Sequence, residues 1–89
     1  MQRVEVYFHG RVQGVGFRYA TQSVAQQFPV TGFVRNEPDG TVYLVAEGQR
    51  AVLEEFLAAL GERMQDFIRK SLVEWSEATN RWSDFSIER

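Results

Sequence analysis

The chain has 89 residues, 44% of them hydrophobic and 25% charged, the balance of a folded globular protein with room for one core, so residues 1–89 are read as a single domain. Ten basic against twelve acidic side chains give a formal charge of −2, which excludes a global pull toward nucleic acid or anionic membranes and requires any anion site to be local. The absence of cysteine excludes disulfides, thiolate zinc sites and cysteine nucleophiles; with no basic leader and no apolar run approaching ~20 residues, the expected location is the cytoplasm.

From Arg3 to His9, apolar Val4, Val6 and Phe8 alternate with polar residues, the period of a strand with one buried face. The stretch from Gly10 to Gly16 carries too much glycine for regular structure. After it, Phe17, Ala20, Val24 and Phe28 recur at helical spacing, with Gln22, Gln26 and Gln27 expected to face water, until Pro29 forbids continuation. "VTGFVRN" and "TVYLVAE" are rich in β-branched and aromatic residues and flank the turn formers Pro38, Asp39 and Gly40, which predicts a hairpin. Val52, Leu53, Phe56, Leu57 and Leu60 then place an amphipathic helix over Arg50 to Arg63. Beyond it, the alternation at Val73 and Trp75 and again at Phe85 and Ile87 predicts two strands, the longer with a register the pattern does not fix.

Strand, helix, strand, strand, helix, strand is the order of an α+β, ferredoxin-like βαββαβ sandwich: an antiparallel sheet with two helices on one face, here with a short C-terminal strand added. In that topology the first and second strands run in the same direction on either side of the third. Their carboxyl ends then share one edge about 10 Å apart, which brings the glycine loop near Asn36.

Glycines let successive backbone amides point inward, and a loop of such amides running into a helix N-terminus can cradle an anion. Arg18 falls in the first helical turn, where a cation opposes the helix dipole unless something negative is bound beside it. Spacing alone leaves open a plain tight turn with a surface arginine. Two nucleotide motifs are excluded: a Walker loop needs Gly-Lys-Ser/Thr at its end, and the dinucleotide fingerprint needs a glycine where Tyr19 stands. One terminal phosphate gripped by a planar guanidinium fits what is left.

"GRVQGVGFR", Gly10 to Arg18, together with "GFVRNEPDGTVYLVAEG", resembles the two signature stretches of the acylphosphatases, small α+β enzymes that hydrolyse the carboxyl-phosphate bond of acyl phosphates. The first stretch meets the family pattern Gly-x-Val-Gln-Gly-Val-x-Phe-Arg at every defined position. The resemblance implies a backbone cradle from Arg11 through Val12, Gln13, Gly14, Val15, Gly16 and Phe17, with Arg18 binding the phosphate and Asn36 orienting the attacking water. It further implies no metal, no organic cofactor and no covalent enzyme intermediate. The expected partner is a small-molecule acyl phosphate, with inorganic phosphate or sulfate able to occupy the same site, no nucleic acid or membrane partner, and a monomeric chain. One departure stands out: many members carry Gly-Pro-Pro before the fourth strand, whereas "GERMQDFIRKSLVEW" has no proline.

Several residues invite functional readings that the blander ones outweigh. His9, the lone histidine, is read as a solvated strand end and not a general base, and Tyr19 and Tyr43 as packing and not gating residues. Arg35 is expected on the face of its strand opposite Asn36 and outside the site. Glu54, Glu55, Glu62 and Asp66 form a solvated helix face. Competing functions are a non-catalytic phosphate- or anion-binding module of the same fold, and an RNA-recognition module, disfavoured because "TVYLVAE" lacks the expected basic-glycine-aromatic run. A third is an acylphosphatase-like part of a larger hydrogenase-maturation or carbamoyl-transfer protein; such proteins carry Cys-rich zinc motifs, and a free-standing enzyme is preferred.

Overall fold

In the computed structural model, which describes residues 1–89, the alternating segments form strands and the 3.6-period segments form helices in the expected order. They are β1 (Gln2–Gly10), α1 (Phe17–Ala25), β2 (Thr31–Asn36), β3 (Val42–Gly48), α2 (Arg50–Arg63), β4 (Ile68–Glu77) and β5 (Phe85–Glu88). The sheet order is β4-β1-β3-β2-β5, so β3 lies between β1 and β2 and antiparallel to both. Phe8 of β1 and Asn36 of β2 pair with the same residue, Val42, from its two sides. Paired residues project from one face of a sheet, so Phe8, Val42 and Asn36 form a row on a common face about 10 Å across.

That face carries the core. Val4, Val6, Phe8, Val34, Val42 and Leu44 from the sheet meet Phe17, Val24, Leu53, Phe56 and Leu60 from the helices in one buried cluster. Helix α1 is shorter than its periodicity suggests: it ends at Ala25, the Gln26 amide still bonds to the Gln22 carbonyl, and the amides of Gln27 and Phe28 bond back to Val24 and Ala25 as the chain tightens toward Pro29. The cause is steric, since the residue before a proline is pushed out of the helical region. Gln22 does not simply face water, because its Nε2 donates to the Phe85 carbonyl at 3.4 Å.

The two outer strands differ from each other. β5 joins β2 in parallel, so the sheet is antiparallel over four strands and mixed at this edge. β4 pairs with β1 in continuous antiparallel register from Gln2 opposite Glu77 to His9 opposite Lys70, with an irregularity only at His9 and Gly10. A proline-free connection suffices to start it, since amides of Phe67 and Ile68 both bond to the Met64 carbonyl. Trp75 is fixed by the Arg50 guanidinium, 3.7 Å from its ring centroid. No helix is long and apolar enough to cross a membrane.

The face of the sheet away from the helices has its own small cluster of Phe33, Tyr43 and Val45, against which Trp82 packs. Tyr43 stacks on Tyr7 and donates its hydroxyl to the Glu5 carboxylate; burial first, and that hydrogen bond second, push its pKa up to about 12. The segment between β4 and β5 is strapped over this face by Glu47, only 4% exposed, which accepts hydrogen bonds from the Thr79 amide (2.7 Å), the Thr79 hydroxyl (2.9 Å) and the Asn80 amide (2.8 Å). Burial alone would raise the Glu47 pKa, but these hydrogen bonds, with the nearby Arg3 charge, outweigh it and hold the carboxyl below its ordinary value.

Candidate active site

The loop after β1 is anchored by its side chains and leaves its backbone free. Val12 is 1% exposed and plugs the core, while the Gln13 amide group reaches the β2–β3 turn and donates to the carbonyls of Glu37 and Thr41, both at 2.8 Å. Gln13 thereby fixes the loop against the segment that follows Asn36. Nothing in the spacing of the motif distinguishes this role from a backbone one.

Gly14 and Gly16 both adopt φ of +77°, a left-handed conformation that costs other residues energy, although open space surrounds the position a Cβ would take. Their glycines therefore serve conformation, not clearance. Gly16 caps α1 without a side-chain hydrogen bond, and no acidic residue occupies the first turn. None of the backbone N–H groups from Val12 to Tyr19 donates to a protein carbonyl, whereas the Arg11 amide is engaged by the Phe67 carbonyl at 3.0 Å. A run of unengaged amides at a helix N-terminus carries a positive potential suited to an anion.

These residues enclose a hollow of about 120 Å³, lined by Val12, Gly14, Gly16, Phe17, Arg18, Tyr19 and, from across the sheet, Asn36. Arg18 forms no ion pair; its Nη1 donates to the Glu88 carbonyl of β5 at 3.3 Å, leaving the rest of the guanidinium for a ligand. Asn36 appears in no side-chain hydrogen bond and shares the helix-side face with Phe8 and Val42. The turn beyond it is held by Asp39, whose carboxylate accepts from the Thr41 hydroxyl (2.7 Å) and amide (3.0 Å); these bonds keep its pKa below the usual value.

Not every expected residue joins this hollow. Arg11 turns its guanidinium onto the Phe67 ring, 5.1 Å from the centroid, and lines a separate hollow with His9, Gly10 and Arg69. Its amide is also engaged, so the unengaged N–H groups of the loop begin at Val12. Val15 packs partly against the core. Tyr19, expected to pack, stands 65% exposed at the rim of the hollow, while Tyr43 is buried on the opposite face of the sheet. Arg35 lies on that opposite face too, over the rings of Phe33 and Tyr43. A roomier apolar groove of about 380 Å³ opens between α2 and β4, lined by Leu57, Ile68 and Val73 among others, with no charged side chain on its walls.

Residues 4–87 match the sequence model of a family described as Acylphosphatase. A protein named Acylphosphatase from Methanospirillum hungatei JF-1 is 43% identical over 90 residues, an alignment covering 100% of this chain and 99% of the relative. Among solved structures, an acylphosphatase from Bacillus subtilis superposes with a TM-score of 0.89 at 32% identity and 100% coverage of both chains. The fold also recurs inside a larger protein: full-length HypF, in a phosphate- and nucleotide-bound form, matches with a TM-score of 0.80 and 25% identity over 99% of this chain but only 12% of its own.

Proposed function

This chain belongs to the acylphosphatase family, and on that premise we propose that its glycine loop, Arg18 and Asn36 together hydrolyse the carboxyl-phosphate bond of small acyl phosphates. The observation that carries the reading is the run of unengaged amides from Val12 to Tyr19, in the segment that lines the same small hollow as an arginine with no carboxylate partner.

An acyl phosphate is an anhydride, and its leaving group is a carboxylate that departs without a proton. The task left to the protein is to hold the phosphoryl group, neutralise charge on its non-bridging oxygens and set one water in line. In this reading the loop amides from Val12 to Phe17 and the Arg18 guanidinium grip the phosphoryl oxygens, and the carboxamide of Asn36 orients the water. Water oxygen bonds to phosphorus as the bond to the carboxylate oxygen breaks, and the water's proton passes to a phosphate oxygen, so no side-chain base is needed. The products are the free carboxylate and inorganic phosphate. The cytoplasm is the place of action that this reading adopts.

The test is hydrolysis of benzoyl phosphate in metal-free buffer, followed by loss of its ultraviolet absorbance. Arg18→Ala is expected to cost about 3 kcal/mol or more of transition-state stabilisation, over a hundredfold in kcat/KM. Arg18→Lys fails nearly as badly, because an ammonium lacks the planar two-point contact. Asn36→Ala removes most of kcat while inorganic phosphate still competes. A folded parent that binds phosphate without turnover replaces this reading with a non-catalytic anion-binding module.

A further inference from the structure

Arg35 is the neighbour of Asn36 in sequence, yet its side chain leaves β2 on the other face, above the rings of Phe33 and Tyr43 at 5.3 and 5.1 Å. There its Nε donates to a Glu37 carboxylate oxygen at 3.0 Å and its Nη1 lies 3.6 Å from a Glu88 carboxylate oxygen. Both acids have a second connection, through the backbone. The Glu37 carbonyl accepts Gln13 from the loop at 2.8 Å, and the Glu88 carbonyl accepts Arg18 at 3.3 Å.

A single guanidinium behind the sheet therefore bridges the two residues whose carbonyls restrain the two halves of the hollow. We propose that Arg35 is a positioning residue of the phosphate site, holding Glu37 and Glu88 so that Gln13 fixes the cradle loop and Arg18 keeps its aim. This rests on the reading that Arg18 and the loop receive phosphate, but adds to it a group that touches no substrate. The planar fork suits the task, since Nε and Nη1 engage two carboxylates from one rigid plane, whereas an ammonium would satisfy them by moving. Small displacements matter here, because binding and turnover depend on donors already in place.

The experiment uses benzoyl phosphate hydrolysis, calorimetric binding of inorganic phosphate, and thermal unfolding of each variant. Arg35→Met keeps much of the side-chain bulk over the rings and is expected to lower kcat by about tenfold, with phosphate affinity weakened by about the same factor. Arg35→Lys recovers part of both. Glu88→Gln retains the backbone carbonyl and removes the charge that pairs with Arg35, weakening only the bridge toward Arg18, so it lowers kcat in the parent but not in an Arg18→Ala background, a non-additivity that general weakening of the fold would not produce. It also serves if Arg35→Met fails to fold.

The inference is overturned if Arg18→Ala is inactive while Arg35→Met stays within about twofold of the parent, or if Glu88→Gln costs as much without Arg18 as with it. If the parent does not hydrolyse benzoyl phosphate but binds phosphate, the catalytic reading fails alone. Equal phosphate affinity in Arg35→Met then overturns the positioning role, and weaker affinity supports it. A parent that neither hydrolyses nor binds ends both.

Discussion

The two edges of the sheet are held by different means. β5 is four residues long, and side chains from elsewhere reach it: Arg18 and Gln22 donate to its carbonyls, and Arg35 pairs with Glu88. β4 is ten residues long, lies along the whole of β1 and leaves Leu72 and Val73 50% and 48% exposed. The long edge depends on its backbone ladder, with Trp75 and Arg50 as its main side-chain fastening. The short edge is tied to the residues around the hollow. Strand length is thus a poor guide to which edge the site depends on, and substitutions should act unequally on the two.

That inequality is tested most strongly at Phe85, the first residue of β5, 8% exposed and edge-on to Phe56 at 5.9 Å. Phe85→Ala is expected to cost about 3 to 5 kcal/mol in chemical denaturation, and to reduce turnover beyond the loss of folded protein because β5 presents the acceptor of Arg18. A cost below about 1 kcal/mol would mean that this edge is not a packed part of the fold.

Glu47 tests the strap that leads into β5. Its folded pKa lies below its unfolded one, so its contribution is present above about pH 4.5 and is lost as pH falls through the folded value. Glu47→Gln should cost about 1 to 3 kcal/mol at neutral pH, since an amide replaces a buried acceptor of three hydrogen bonds. Urea midpoints measured from pH 6 down to pH 3 should fall more steeply in the parent than in this variant. Parallel curves would show that Glu47 does not titrate with unfolding.

The smallest effect is expected on the opposite edge. Leu72→Thr, half exposed on a strand that tolerates a β-branched residue, should change stability by no more than about 0.5 kcal/mol and leave benzoyl phosphate turnover unaltered. If it cost more than Phe85→Ala, the comparison between the edges would be inverted.

Period-two and period-3.6 patterns made the strands and helices legible, because each face repeats within a few residues. Asn36 could be brought to the glycine loop from topology alone, since the ferredoxin-like order requires β1 and β2 to end together. The contacts that organise the hollow had no such signal. Gln13 reaches residues 24 and 28 positions away, Arg18 reaches one 70 positions away, and Glu47 binds a segment 32 and 33 positions on. Side-chain hydrogen bonds of that range have no periodicity to read. Alternation sets Arg35 on the far face, but it does not show that the acids Arg35 binds there present their backbone carbonyls to Gln13 and Arg18. Arg11 shows the converse: it lies within the signature stretch, yet its amide is already engaged by the Phe67 carbonyl, just before β4.

The 70-residue interval between Arg18 and its acceptor gives the molecule a timetable. During synthesis Glu88 is added roughly 4 to 14 s after Arg18 at about 5 to 20 residues per second, and until then Arg18 has no such carbonyl to lean on. Nascent chains that stop short of β5 carry the whole signature sequence without the contact that aims its arginine. That contact is therefore acquired late, and belongs to the assembled sheet edge rather than to the motif.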